Sequence, residues 1–175
     1  MSIDLRPAVP ADGPALTALA RRVFTETFGA NFDAGDLEAH LDHAFGPGGL
    51  PAELADPRFP VMMAEEDGVA AAYIKLAPMA LPVDHPPGAL EIRQLYVLAP
   101  WQGKGVAQLL MDWAIAHARA IGAPAFYLSV WSRGDRAIAF YRRYGFVMAG
   151  TAPFTVGART DEDPVMRLDL GSGPI

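Results

Sequence analysis

The chain has 175 residues, 51% hydrophobic and 19% charged, with a net charge of −6, which fits one globular domain with room for a core. It contains no cysteine, which excludes disulfides, thiolate metal sites and a cysteinyl acyl intermediate. The acidic balance disfavours nucleic acid, no apolar run reaches the roughly 18 residues that span a bilayer, and Met1–Pro10 lacks a signal peptide's apolar core, so a cytoplasmic protein with neither partner is expected.

Ser2 to Pro7 reads as a first strand. Asp12 then stands as an N-cap with Pro14 just inside a helix, and Leu16, Leu19, Val23, Phe24 and Phe28 recur at helical spacing up to Gly29. Asp36 to Phe45 repeats the pattern with Leu37, Leu41 and Phe45, and Gly46-Pro47-Gly48-Gly49 ends it. Phe59 to Ala64 and Val69 to Ala77 are strands joined through Asp67-Gly68, a favoured hairpin turn. The proline-rich Pro78 to Gly88 is a loop, and Ala89 to Leu98 is a strand. Pro100 to Gly105 turns into a helix marked by Val106, Leu109, Leu110 and Trp113 that runs to Ala120. Ala125 to Val130 is a strand, Asp135 to Tyr144 a short helix closed by Gly145, and Phe146 to Thr155 and Pro164 to Leu170 the last strands. The order β-α-α-β-β-β-α-β-α-β-β describes a single mixed α/β domain over residues 1–170, followed by a short tail, 171–175.

Chemistry concentrates where the fourth strand enters a glycine-rich turn that opens a helix. The first amides of a helix lack internal partners and lie at the positive end of its dipole, and glycines let the backbone approach a phosphate closely. Gln102, Gly103, Lys104, Gly105, Val106 and Ala107 therefore form a candidate phosphate cradle, with Lys104 adding charge at its rim. The spacing is not that of the P-loop, and Gln108 stands where the dinucleotide fingerprint needs its third glycine. A glycine-rich connection without a ligand is the alternative on this segment alone.

A second segment, Ala137-Ile138-Ala139-Phe140-Tyr141-Arg142-Arg143-Tyr144-Gly145-Phe146, narrows the choice. Gln102-x-x-Gly105-x-Ala107 together with Ala137-x-x-Phe140-Tyr141 and Gly145-Phe146 resembles the GCN5-related N-acetyltransferases, the GNAT family. The resemblance implies a mixed, mostly antiparallel sheet flanked by helices, with acetyl-coenzyme A as co-substrate. Its pantetheine arm would lie between the fourth and fifth strands, paired with main-chain groups of Leu95, Tyr96 and Val97. The Val97 amide would polarise the thioester carbonyl, and amides from Gln102 to Ala107 would hold the pyrophosphate. Ala137, Phe140 and Arg133 would also lie along the cofactor. Many relatives carry an asparagine where Gly134 stands, and Ser132, Arg133 or Asp135 are the residues placed to replace it.

The same resemblance implies the acid and the base. Tyr141 takes the position of the general acid, and an ordinary phenol pKa of about 10 keeps it protonated near neutrality. Glu91 is the candidate base, since an apolar strand favours a proton-accepting carboxylate; the alternative is that it faces out or pairs with Arg93. His40 and His43, three residues apart, have no third ligand beside them, so no metal is expected. His85 in the proline-rich loop is placed to face substrate, and His117 to face solvent or the helix dipole.

In the family fold the two N-terminal helices line the acceptor side, and here they carry Glu26, Asp33, Asp36, Glu38 and Asp42, a field attractive to a polycation. Thr25-Glu26-Thr27-Phe28, the Leu90–Gln102 stretch, Val130-Trp131 through Phe146, and Phe154-Thr155-Val156-Gly157 followed by Asp163 and Met166 resemble the bacterial spermidine/spermine acetyltransferase branch. The expected reaction is direct acetyl transfer to a primary amine of a small molecule, with a polyamine as the leading acceptor. Protein N-termini, amino sugars and antibiotic-like amines stay open, as does pairing into a homodimer. A non-catalytic acetyl-CoA sensor and a cofactor-free partner-binding domain are the competing classes.

Overall fold

The computed structural model describes residues 2–171, so all but the first residue of the expected tail lies outside it. The strands are β1 Asp4–Pro7, β2 Val61–Glu66, β3 Val69–Pro78, β4 Leu90–Val97, β5 Ala125–Ser129, β6 Val147–Val156 and β7 Arg159–Asp169. The helices are α1 Gly13–Phe28, α2 Ala34–Phe45, α3 Leu50–Glu53, α4 Val106–Ala120 and α5 Asp135–Arg143. The strands form one sheet in the order β1-β2-β3-β4-β5-β7-β6, antiparallel except where β4 meets β5.

The local chemistry accounts for most of these elements. Asp67 and Gly68 both adopt positive φ, as the two-residue turn between paired antiparallel strands requires. In α4 the buried stripe is Val106, Leu110, Met111, Ala114 and Ala118, which recurs at helical spacing. Leu109, read from the sequence as part of that stripe, is exposed, because it falls one position outside the arc that meets the sheet. Asp12 precedes α1 but does not cap it. Its carboxylate accepts from the Val9 amide at 2.8 Å and from Arg6 at 2.7 and 2.8 Å, and Arg6 also donates to Glu65.

Two apolar layers cover the sheet. On one face α4 and α5 bury Ile74, Ile92, Leu110, Met111, Phe126, Leu128 and Met166. On the other, α1, α2 and α3 bury Leu16, Phe24, Phe45, Met63 and Tyr73, while Ala125, Tyr127 and Val165 continue that face beyond β4. Lys75 on β3 is buried with this second layer and pairs with Glu53 of α3, a one-turn helix that the glycine-rich sequence before it conceals. The β6–β7 hairpin is longer than the sequence suggests. It turns at Gly157-Ala158, so the polar run Arg159 to Asp163 is strand.

Candidate active site

The parallel pair β4–β5 opens almost at once. Only Leu90 with Phe126 and Glu91 with Tyr127 stand in register. Beyond them a bulge against β3 leaves Arg93 as the extra residue between Ile92 and Gln94. Such an insertion bends a strand and increases its twist, which turns the rest of β4 away from β5. The ladder fixes what the open edge offers. The Leu98 amide bonds to the Ala71 carbonyl at 3.0 Å, which makes Ala72–Val97 and Ile74–Leu95 the non-hydrogen-bonded pairs of an antiparallel ladder. Leu95 and Val97 therefore turn their main-chain groups to the gap, whereas those of Tyr96 are spent on β3. This corrects the expectation that all three serve a ligand there. The Tyr96 ring instead packs on Tyr73 and Phe45.

The gap leads into the glycine turn. Gly103 and Gly105 both have positive φ, and Gly105, at φ 82° and ψ −1°, stands immediately before α4. The Leu109 amide makes the helix's first bond, to the Gly105 carbonyl at 3.1 Å. Among the described residues, the amides of Gly103, Lys104, Gly105, Val106 and Ala107 have no main-chain acceptor, and they sit at the positive end of α4. Gln102 differs from its expected part. Its amide bonds to Ala99 at 3.2 Å, and its side chain donates to the Val97 carbonyl at 2.9 Å, capping the open edge. Lys104 is exposed at the rim.

Tyr141 on α5 is half-buried between Phe140 and Phe146, at 5.4 and 5.5 Å between ring centres. Burial pushes its phenol well above the ordinary value, and among the described residues the hydroxyl has no hydrogen-bond partner. Tyr144, one turn on, donates to Asp112 of α4 at 3.0 Å and locks α5 against α4. Ala137 is exposed on α5, and Gly134 leads into the helix through a bond from its amide to the Trp131 carbonyl at 2.8 Å. A side chain at Gly134 would place its Cβ 3.0 Å from that same carbonyl, so the asparagine of relatives does not fit this turn without a shift.

Glu91 is buried and paired. Arg93 donates to both of its oxygens, at 2.9 and 3.1 Å, and the Ala80 amide donates at 3.0 Å. Arg133 turns away from the cofactor side. It stacks over Trp131 at 4.6 Å and donates to Asn31 at 3.1 Å, while Arg159 donates to the Asn31 carbonyl at 3.0 Å. Asn31 thus ties the α1–α2 link to the β5–α5 loop and to the β6–β7 hairpin, a role that nothing in its sequence context signals. The Tyr73 hydroxyl, which donates to Gln94 at 2.7 Å beneath β4, is a second polar link visible only in the register.

On the acceptor side the expected acidic field is thinner than its composition. Arg21 is shared between Glu38 and Asp42, and Arg22 pairs with Glu26, so two cations offset part of the charge of three carboxylates. Asp33 and Asp36 remain, and they line a cavity of about 380 Å³ with Asn31, Phe32, Val156 and Arg159. His40 lies in an aromatic cluster, 4.8 Å from Phe24 and 5.5 Å from Phe154, and burial lowers its pKa. His43 is exposed, His117 stacks on Trp113, and His85 contacts the Pro86 carbonyl. No helix among the described residues is long and apolar enough to cross a membrane.

Known proteins resemble this chain in sequence and in fold. An uncharacterized N-acetyltransferase from the pepI 3′ region of Lactobacillus delbrueckii subsp. lactis is 26% identical over 160 residues, covering 91% of this chain and 92% of its own. The structure of the PaiA N-acetyltransferase from Thermoplasma acidophilum in complex with coenzyme A superposes with a TM-score of 0.79 at 18% identity, over 97% of this chain and 99% of that one. The structure of yncA from Salmonella typhimurium, a putative acetyltransferase with its cofactor acetyl-CoA, gives 0.70 at 21% identity over 100% and 98%. The sequence profile described as the acetyltransferase (GNAT) family matches residues 18–146, a span that takes in the open strand, the glycine turn and Tyr141, and by that match the chain belongs to the GNAT family.

Proposed function

We propose that the chain transfers the acetyl group of acetyl-CoA to a primary amine of a small molecule, a polyamine being the leading acceptor, by direct attack in a ternary complex. The observation that carries this reading is the free edge of β4 running straight into the amides before α4. It offers an extended polar arm hydrogen-bond partners at Leu95 and Val97, and a pyrophosphate a cradle of amides from Gly103 to Ala107. The two coenzyme-bound neighbours support the same ligand. Acetyl-CoA supplies the activated thioester, and the chain's residues orient it and handle protons. The Val97 amide is aimed to stabilise charge on the thioester oxygen. Tyr141 stays protonated and donates to the departing sulfur. Burial raises the phenol's pKa, and burial likewise disfavours a thiolate leaving into an apolar gap, so the transfer is not opposed by the phenol's shift alone.

Glu91 is the base of this reading, through water. Three of its roughly four lone-pair positions are taken by Arg93 and Ala80, which leaves one to receive a proton. Asp33 and Asp36 favour an acceptor with a second positive charge. The deciding experiment is thiol release from acetyl-CoA against spermidine, spermine, a lysine peptide and an aminoglycoside. Turnover with the polyamines alone supports both reaction and acceptor, and turnover with another amine keeps the enzyme and discards the polyamine. Acetyl-CoA binding without turnover of any amine favours the sensor.

A further inference from the structure

A regular strand turns successive side chains to opposite faces, so Glu91 and Gln94, three positions apart, would point away from each other. The bulge at Arg93 reverses that. Glu91 stands opposite Ala77 and Gln94 opposite Lys75, and Ala77 and Lys75 lie two apart on β3, on one face. Ile92 and Leu95 pack with Leu76 on the side of α4 and α5, whereas Tyr96 packs with Tyr73 under α1, α2 and α3. Glu91, Gln94 and Tyr96 therefore form one row along β4, on the face that carries α1 and α2, beside the open edge. Glu91 and Gln94 are neighbours in that row, one pleat repeat or about 7 Å apart along the strand.

Two cations beside this row are committed: Lys75 to Glu53, and Arg93 to Glu91 and the Pro78 carbonyl. Gln94, half-buried, is committed on one side only. Its Oε1 accepts from the Tyr73 hydroxyl at 2.7 Å, and Tyr73 is wholly buried, so the amide is held with its Nε2 turned away from that hydroxyl. Among the described residues nothing accepts from Nε2, and this nitrogen is not sealed from solvent. A side-chain amide fixed through its oxygen presents its two N–H donors in a set direction, where they fix the place of an acceptor such as water. The next side chain along the row is Glu91, with one lone-pair position open.

We propose that Gln94 is a positioning residue for the proton path, its Nε2 holding the water that links the acceptor's ammonium to Glu91. The water accepts from Nε2 with one lone pair, takes the ammonium proton on the other, and passes one of its own hydrogens to the open position on Glu91. The amine is left neutral and the carboxylate protonated. The inference rests on the amine-acetylation reading above and on Glu91 as its base. Gln94→Met removes the donor at nearly the same length, and Tyr73→Phe/Gln94→Met also removes the hydroxyl it would strand, which protects the fold. With whichever amine the wild type acetylates, both variants are expected to lose about tenfold or more in kcat at pH 7, with KM for acetyl-CoA within about twofold. The deficit is expected to shrink as pH rises toward the amine's pKa, about 10, because an amine that arrives neutral needs no path for its proton. Added to Glu91→Gln, Gln94→Met is expected to cost less than about twofold more, since both act on the same proton. A deficit equal at every pH, a full further loss in the Glu91→Gln background, or a kcat within about twofold of wild type overturns the inference and leaves the proposed function standing. No turnover of any amine by the wild type overturns the proposed function and this inference with it.

Discussion

Replacing Gly105 by aspartate and, separately, by asparagine isolates the charge of the phosphate cradle. Gly105 sits at φ 82° and ψ −1°, a left-handed conformation that asparagine and aspartate tolerate better than other side chains. A Cβ built there meets only Gln108 Oε1, at 3.6 Å, an ordinary contact, so neither variant is excluded by crowding. Both carry the same backbone strain, of order 1 kcal/mol, and they differ by one negative charge. A carboxylate about 5 Å from a phosphate oxygen is repelled by about 1 kcal/mol in water-like surroundings and about 3 kcal/mol at an effective dielectric near 20. The aspartate variant should bind acetyl-CoA roughly five- to 150-fold more weakly than the asparagine variant. Isothermal titration of both at two ionic strengths measures this, and the difference should narrow as salt rises. Equal dissociation constants for the two variants would refute a pyrophosphate at this turn.

Tyr141→Phe should lower kcat by about 10² or more while leaving acetyl-CoA affinity intact; a kcat within about twofold of wild type in steady-state assays makes the phenol structural. Glu91→Gln keeps an acceptor for Ala80 and loses the charge held by Arg93, and it should lower kcat by about 10² or more while leaving acetyl-CoA affinity intact. A kcat within about twofold of wild type moves the base elsewhere. Asp12 has its pKa lowered, first by its hydrogen bonds from Arg6, so its contribution to stability is present above the unfolded value of about 3.9 and fades as pH falls through the folded one. Asp12→Asn should therefore lower stability by about 1 kcal/mol at pH 7, and the two proteins should converge in acid; a gap in denaturation midpoint that persists at low pH contradicts that linkage.

The features legible in the sequence are those set by local backbone chemistry. Asp67-Gly68 specifies its hairpin because both residues accept positive φ, and Gly103 and Gly105 mark the turn before α4 for the same reason. What the sequence conceals depends on partners far along the chain. Strand alternation does not say that Arg93 bulges, and without that bulge there is no way to assign the Tyr96 main chain to β3 rather than to the gap. Arg133 and Gln102 are long, polar and near the cofactor turn, yet one reaches Asn31 and the other folds back on Val97. The charge run from Arg159 to Asp163 hides the start of β7, which pairing with the apolar edge of β6 supplies.

The short register between β4 and β5 leaves a seam down the middle of the sheet. One half holds β1 to β4 and the other β5 to β7, and across the seam the main chain contributes two residue pairs. Cohesion there falls to side chains, chiefly those under α4, where Met62 and Ile74 from one half meet Phe126 and Met166 from the other. A ligand that bonds to the edge of β4 and fills the space beside β5 completes the sheet as a missing rung. By linkage it adds stability that grows with its concentration, about 2.7 kcal/mol at 100 times its dissociation constant. On the proposed reading, the supply of acetyl-CoA sets how long the folded chain persists as well as how fast it works.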